Sequence, residues 1–422
     1  MRSLLPDLGP LRDSREFRLL YAGQFVSNFG SAISYVVLPL QMYQLTKSPL
    51  MVGLLGLVEF FPMVLLAFVS GAVADRWDRR RLIVMVEAGQ TLCCLALVAN
   101  AFQPQPAVWP LWLVAGLLAG LGAFHRPAME AMTPQLLTPE QMTGAASWNS
   151  LRHNFAHIAG PGLAGVIAST LGAGTAFLLD GASFVFSMVM LLRMRPLGRP
   201  VGANEENLTW HTLLEGWRYA RKRQDLLGTY LIDMNAMFFG MPNALFPALA
   251  EQWGAHTVGW LYAAPSVGAL LASLTSGWAG KVQRHGVAIT LAAAGWGLAI
   301  VGFGAAGPLW LALLFLALAG ACDMISGLFR MTMWNQTIPQ RLRGRTAAIE
   351  MVSYLSGPYL GNAEAGVAAR AFGLRSSVMA GGAACVVGCA VLAALLPKFI
   401  AYRSTEGVQR REAEEGGLQT RQ

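Results

Sequence analysis

The sequence predicts an all-α polytopic membrane protein of twelve spans, arranged as two related six-helix bundles. Three observations predict it. Of 422 residues, 55% are hydrophobic and only 13% are charged, against roughly 25% charged in a soluble domain. The apolar residues fall into long runs near the ~20 residues that cross a bilayer. The two halves of the chain also repeat one another.

The runs lie near 17–43, 50–74, 82–102, 108–130, 141–170 and 174–195, then 226–250, 256–280, 286–306, 308–333, 345–370 and 374–396. Domain boundaries follow: a first half at 1–198, a cytoplasmic linker at 199–225, a second half at 226–397 and a tail at 398–422. The linker is polar, with Asn204-Glu205-Glu206-Asn207 and Arg221-Lys222-Arg223. The tail is charged and is expected to be disordered. The polar N-terminus, Met1 to Glu16, lacks the pattern of a cleavable signal peptide. Trp109, Trp112, Trp253 and Trp310 sit near outer span ends and suit an interface belt.

Orientation follows from the 31 lysines and arginines. With the N-terminus inside, only Lys47, Arg370 and Arg375 fall outside, and Arg126, Arg152 and Arg330 lie within or at the ends of spans. All the others sit in cytoplasmic loops and tails, as the positive-inside rule requires. Both termini are therefore expected in the cytoplasm. The net charge of +8 is a topology signal and not a mark of nucleic-acid binding. The five cysteines lie inside apolar runs without CxxC or metal-ligand spacing, so they read as small core residues, and no metal or cofactor is expected.

The repeat is visible in small residues. Val52-Gly53 to Ser70-Gly71 align with Val258-Gly259 to Ser276-Gly277, at an offset of 206. Gly120, Pro139 and Gly144 align with Gly320, Pro339 and Gly344 at 200, and Gly160, Gly165 and Gly172 with Gly361, Gly366 and Gly373 at 201. Parallel repeats about an axis along the membrane normal are a transporter architecture.

The loop after the second span reads Gly71-Ala72-Val73-Ala74-Asp75-Arg76-Trp77-Asp78-Arg79-Arg80-Arg81. It resembles the G-x-x-x-D-R-x-G-R-R signature of the major facilitator superfamily, with Asp78 in place of the second glycine. A gating motif of Gly71, Asp75, Arg76, Arg79 and Arg80 is implied, in which Asp75 accepts from a helix N-terminus or pairs with the arginines. Lys281 stands at the repeat position of the acid, so such a latch is one-sided. A plain positive-inside anchor would explain the arginines but not Gly71 or Asp75. In the fifth span Gly160-Pro161-Gly162 and Gly165 look like a reduced form of the exporters' G-P-x-x-G-G motif. Close helix packing would use the same small residues.

Phe124-His125-Arg126-Pro127-Ala128, Thr133-Pro134-Gln135-Leu136-Leu137, Leu245-Phe246-Pro247-Ala248-Leu249-Ala250 and Gly259-Trp260-Leu261-Tyr262-Ala263-Ala264-Pro265 extend the likeness. They resemble the drug-efflux branch that contains macrolide and siderophore exporters. The resemblance covers about residues 15–396. It implies the major facilitator fold and proton-driven export of a siderophore of the enterobactin type across the bacterial inner membrane, by a functional monomer. A multidrug or macrolide pump is the alternative, and a lysophospholipid transporter a further one. No nucleophile–base pair, phosphate loop or metal set supports an enzyme.

An ionisable residue within a span costs ~2.5–3.5 kcal/mol by insertion scales. Glu59 and Asp323 lie mid-span, Asp233 in the inner half of its span and Glu364 in the outer part of its own. These acids, with Arg126 and Arg152, are the candidates for proton coupling or substrate contact. Equally, the acids can form structural ion pairs with Arg126, Arg152 or Arg330. Asp180, Glu87 and Glu350 are further in-span acids. His153 and His157 lie one turn apart on one helix face. Phe25, Phe29, Tyr35, Phe238, Phe239 and Phe246 fall in the first and seventh spans, which the resemblance places along the cavity.

Overall fold

The computed structural model describes residues 7–195, 218, 221, 223–338, 343–405, 407–409 and 411, with the side chains of 68, 71, 72, 74–76 and 343–355 set aside. The Asn204–Asn207 stretch of the linker and Pro339 lie outside the described residues.

Helices dominate. In the first half they are α1 (Gly9–Asp13), α2 (Arg15–Thr46), α3 (Pro49–Arg76), α4 (Arg79–Ala101), α5 (Trp109–Leu136), α6 (Met142–Thr170) and α7 (Gly172–Arg193). In the second half they are α8 (Gln224–Phe239), α9 (Phe246–Ala250), α10 (Val258–Leu274), α11 (His285–Ala305), α12 (Leu309–Thr337), α13 (Arg343–Phe372), α14 (Leu374–Leu395) and α15 (Pro397–Ile400). Among the described residues, eight helices are long and apolar enough to cross a membrane. The remaining long helices, α2, α6, α8 and α13, are more polar or shorter.

Local chemistry sets the ends. Ser14 caps α2 by accepting from the Phe17 N–H at 3.1 Å. Asp78 caps α4 by accepting from the Arg81 N–H at 3.0 Å, in ordinary extended geometry (φ −61°). The turn therefore does not need the glycine of the superfamily signature. Gly172 and Gly373 adopt φ +83° and +87°, a left-handed conformation that glycine reaches without Cβ strain. They are repeat partners, and each joins a long helix to the next.

Packing divides the chain into two compact units: Met1–Asn207 with Pro247–Ala263, and Leu208–Phe246 with Ala264–Gln422. The segment 247–263 thus packs with the first half of the sequence. Within the first unit α2 lies along α7 and α6, α3 along α5, and α4 between α5 and α7. The start of α4 and the C-terminal parts of α5 and α7 close on a core of Ile83, Val86, Ala128, Met132 and Leu191. In the second unit α11 lies against α12 and α14, and α8 against α13 and α14. Gly120 faces Leu66 and Pro62 of α3, and its repeat partner Gly320 meets the backbone of Pro265 in α10, where no Cβ would fit. Four of the five cysteines are buried and all five are free thiols. Trp109 and Trp310 are exposed at the starts of α5 and α12.

Two expectations need correction. The seventh apolar run is not one continuous helix. α8 ends at Phe239, and the chain crosses Gly240, Met241 and Pro242 before a 3-10 turn and α9. Pro242 disfavours helical backbone at the residue before it. Neighbours satisfy the freed polar groups: the Trp296 indole donates to the Gly240 carbonyl at 3.0 Å, and the Ala244 N–H donates to Asn362 Oδ1 at 3.1 Å. Second, the start of the tail is ordered. Phe399 is fully buried against Gly228 and Gly286, and the Tyr402 hydroxyl meets Thr337 Oγ1 at 2.8 Å. Burial of two aromatic rings offsets the chain entropy that the charged composition alone would leave uncompensated.

Candidate functional site

The strongest concentration of predicted residues lies in the second unit. Asp323 and Arg330 are seven residues, about two turns, apart on α12 and share a face. Arg330 forms an ion pair with Asp233 of α8 and places Nη2 3.8 Å from Asp323 Oδ1. The Asp233 and Arg330 side chains are nearly buried, whereas Asp323 keeps 44% of its side chain exposed. One cation therefore serves two carboxylates, and the more accessible acid is the weakly held one.

In the first unit α2 and α6 build an aromatic ladder. Tyr21 lies tilted against Phe25 at 6.1 Å and meets the Trp148 ring edge-on at 5.6 Å. Phe155 stacks on Phe25 at 5.2 Å and lies 5.9 Å from Phe29. On the same helix His153 and His157 have ring centroids 4.2 Å apart, as their spacing predicts. Arg152 stands near Tyr21, and Arg152 and Arg126 both lie near His153. The Arg152 Nε is buried without a hydrogen-bond partner among the described residues. Arg126 pairs with Glu130 at 2.9 Å on an exposed face, so it does not neutralise a buried acid.

The other predicted acids stand apart from these groups. Glu59, half-buried on α3, has no ion-pair partner among the described residues and lies near Tyr262, whose ring meets Tyr35 at 5.5 Å. Glu364 is half-buried on α13, again without an ion pair among the described residues. Phe246 is buried edge-on against Phe303 at 5.8 Å.

In the predicted gating motif, Gly71, Asp75 and Arg76 end α3, and their side chains lie outside the described set. Arg79 donates to the Ala131 carbonyl at 2.7 Å, and Arg80 to the carbonyls of Leu191 and Leu192 at 2.6 and 2.7 Å. Both arginines thus satisfy carbonyls in the last turns of α5 and α7, where cations suit the helix dipole. The glycine–proline motif is a packing seat. Gly160 abuts Ala32 of α2, and Gly165 and the Pro161 carbonyl approach the backbone of His256 and Gly259 too closely for a Cβ at either glycine. Next to this seat Lys47 donates to Glu251 Oε1 at 2.9 Å and the Tyr43 hydroxyl to Oε2 at 3.1 Å. The Lys47 hydrogen bond, then the Tyr43 hydroxyl, hold the Glu251 carboxyl below its usual range despite slight burial.

A buried polar group lies between α2, α4, α5 and α7. Glu87 Oε1 accepts from Gln24 Nε2 at 2.8 Å and from Ser187 Oγ at 2.7 Å, with His125 Nε2 at 3.6 Å. Spacings of seven, Glu87 to Cys94 and Asp180 to Ser187, are the signal that could have revealed it. No cluster of three metal-ligating side chains occurs among the described residues.

The comparisons with known proteins agree with this architecture. The family model described as transmembrane secretion effector matches residues 6–414. The enterobactin exporter EntS of Shigella boydii serotype 4 (strain Sb227) is 28% identical over 368 residues, 86% of this chain and 87% of that protein. EntS of Escherichia coli O81 (strain ED1a) matches to the same extent. Among solved structures, the nucleoside transporter NupG superposes with a TM-score of 0.69 at 13% identity, over 92% of this chain and 98% of that one. A bacterial homologue of the iron transporter ferroportin in an inward-facing state gives 0.66 at 17%, over 90% and 98%. At such identities the solved structures speak for the fold alone. The chain belongs to the transmembrane secretion effector family of the major facilitator superfamily, a multi-pass transporter of small molecules and not an enzyme.

Proposed function

We propose that the protein exports a siderophore of the enterobactin type across the bacterial inner membrane, driven by the proton gradient through alternating access. In this reading α2, α6, α13 and the broken α8–α9 pair join the eight apolar helices to make twelve spans. Two six-helix halves, at 1–198 and 226–397, rock about a central site, with both termini cytoplasmic and a single chain sufficient for transport. The linker 199–225 and the tail 398–422 stay on the cytoplasmic side. Asp75 and the motif arginines gate the inner side, and the glycine–proline motif of α6 gives exporter character by letting helices part and re-seat.

The observation that carries coupling is the arrangement of two acids around one buried arginine, Asp233–Arg330–Asp323. Such a site holds a surplus charge that one proton cancels, and desolvation on closure would change its occupancy. Glu59 and Glu364 are further proton candidates. The substrate class draws on the relatives named enterobactin exporter and on the aromatic ladder beside Arg152, which suits planar, anionic, aromatic molecules. Arg126 would act at the rim of that face.

The test is gradient-driven efflux of enterobactin from proteoliposomes. Glu59→Gln or Asp323→Asn is expected to bring efflux down to the level seen with a collapsed gradient while abundance stays normal. Full activity in both variants would sink the coupling assignment. In cells, deletion is expected to leave iron chelator inside and not in the medium. Unchanged secretion with new sensitivity to macrolides would favour the alternative of a drug efflux pump, for which the same aromatic face is suited.

A further inference from the structure

Five arginines gather in the first unit where α4 begins and α7 ends. Arg80 donates to the Leu191 and Leu192 carbonyls at 2.6 and 2.7 Å, and further along the same two helices Cys94 Sγ donates to Asp180 Oδ2 at 3.6 Å. α4 and α7 are therefore antiparallel neighbours. Arg81 follows Arg80 on α4, Arg193 stands in the last turn of α7, and Arg195 lies just beyond it. Arg15, at the start of α2, places Nη2 3.5 Å from the Arg193 carbonyl. Arg80 already satisfies carbonyls at this helix end, so capping does not account for Arg81, Arg193 and Arg195. All three are exposed, and their guanidinium groups make no hydrogen bond or ion pair among the described residues.

The acids nearby are committed elsewhere. Glu16 pairs with Arg15 through Oε1 at 3.1 Å and accepts from the Arg195 N–H through Oε2 at 3.0 Å. Asp78 accepts from the Arg81 N–H at 3.0 Å. The cluster thus keeps a positive surplus.

Apolar surface runs away from it along both helices. Met85, one turn from Arg81, and Leu92 are exposed on α4; Leu178, Val185 and Leu192 repeat every seven residues as an exposed stripe on α7. At about 100° per residue both stripes turn away from the buried seam of Glu87, Cys94, Asp180 and Ser187. Because the helices are antiparallel, they turn to the same side of it. Both helices are apolar enough to cross a membrane, so these side chains face acyl chains. Apolar walls that end in unneutralised arginines match a molecule with apolar tails and an anionic head.

We propose that the groove between α4 and α7 binds an anionic phospholipid. Its phosphate lies against Arg81, Arg193 and Arg195, and its acyl chains lie along Met85, Val185 and Leu192. The planar guanidinium fork suits phosphate because it donates two parallel hydrogen bonds. The positive-inside rule explains arginines at this end of the helices. It does not require arginines from distant parts of the sequence to converge at the head of one apolar groove. A zwitterionic lipid brings its own cation into the arginine surplus, so headgroup charge sets the preference.

Native mass spectrometry of the full-length protein in detergent tests this, by titration with phosphatidylglycerol and phosphatidylcholine of matched chains. Each arginine near an anionic head contributes about fivefold, so the first phosphatidylglycerol is expected to bind at least about tenfold tighter than phosphatidylcholine. In Arg81→Gln/Arg193→Gln/Arg195→Gln that preference is expected to disappear. Lys281→Gln/Arg284→Gln/Lys398→Gln removes the same charge from exposed positions of the second unit and should leave the preference intact. Equal affinities in the native protein, a preference that survives the first triple variant, or an equal loss in the second overturns the proposal. Glycerol phosphate, the head without the chains, is expected not to displace the lipid at equal concentration. Displacement would assign the arginines to a soluble anion and overturn the lipid site. Should the first triple variant fail to fold, Arg193→Gln decides: it should weaken phosphatidylglycerol by about fivefold and leave phosphatidylcholine unchanged. Weakening of both lipids alike, or of neither, would overturn the site.

Discussion

In the second unit Arg330 stands between Asp233 and Asp323, whereas in the first unit Glu87 and Asp180 are held by amide, hydroxyl and thiol donors. The same contrast runs through the backbone. The first span, α2, is continuous over 32 residues despite Pro39, while its repeat counterpart is broken between α8 and α9. Small residues keep the scaffold repeated: Gly120 and Gly320 seat equivalent helices, and Gly172 and Gly373 make equivalent turns. Charges and breaks are not repeated. Packing is duplicated between the two units, and chemistry is not.

Three measurements would break or sharpen this contrast. The largest effect is expected at Arg330. Arg330→Leu strands the buried Asp233 carboxylate, and breaking a buried pair costs ~3–5 kcal/mol. Thermal unfolding in detergent should show the loss, and adding Asp233→Leu should recover much of it. A neutral Arg330→Leu would mean that the second unit does not depend on its ion pair. The intermediate effect concerns the broken helix. Trp296→Phe keeps the ring but removes the donor to the Gly240 carbonyl, at ~1–3 kcal/mol for a stranded buried acceptor. The same melting assay reads it, and an unchanged midpoint would show that another donor reaches the break.

The smallest effect is expected at the Lys47–Glu251 pair. Both side chains are at least half exposed, so Glu251→Gln should cost only ~0.2–1 kcal/mol. Its pH dependence has a definite sign. The folded carboxyl lies below its ordinary value of 4.5, so its contribution is complete above that value. It disappears as pH falls through the lower folded one. The difference in melting between native protein and Glu251→Gln should therefore be constant near neutrality and vanish in acid. A difference that persists in acid would assign the stabilisation to packing.

Most helix limits were legible in the sequence. The run near 374–396 is α14 at Leu374–Leu395, and that near 141–170 is α6 at Met142–Thr170. Apolarity is written residue by residue, and the bilayer imposes the length. Asp323 and Arg330 could be paired from their spacing on one helix. Asp233, nearly a hundred residues earlier, could not, because the rotation of α8 against α12 decides which face meets Arg330. Glu87 with His125, and Tyr43 with Glu251, were hidden for the same reason. The break after Phe239 was masked because the run stays apolar across Gly240 and Pro242. The ordered start of the tail was masked because the tail's charges outnumber the two rings it buries.

The sequence by itself determined that this chain lives in a bilayer, how its apolar runs are spaced and which superfamily motif it carries. Those properties follow from composition, local spacing and the cost of exposing backbone to lipid. Tertiary structure alone decided which acid holds an arginine, which meets a histidine and where a helix may break. Each of those depends on polar groups brought together from distant helices, and a buried polar atom is tolerated only where another chain segment supplies its partner.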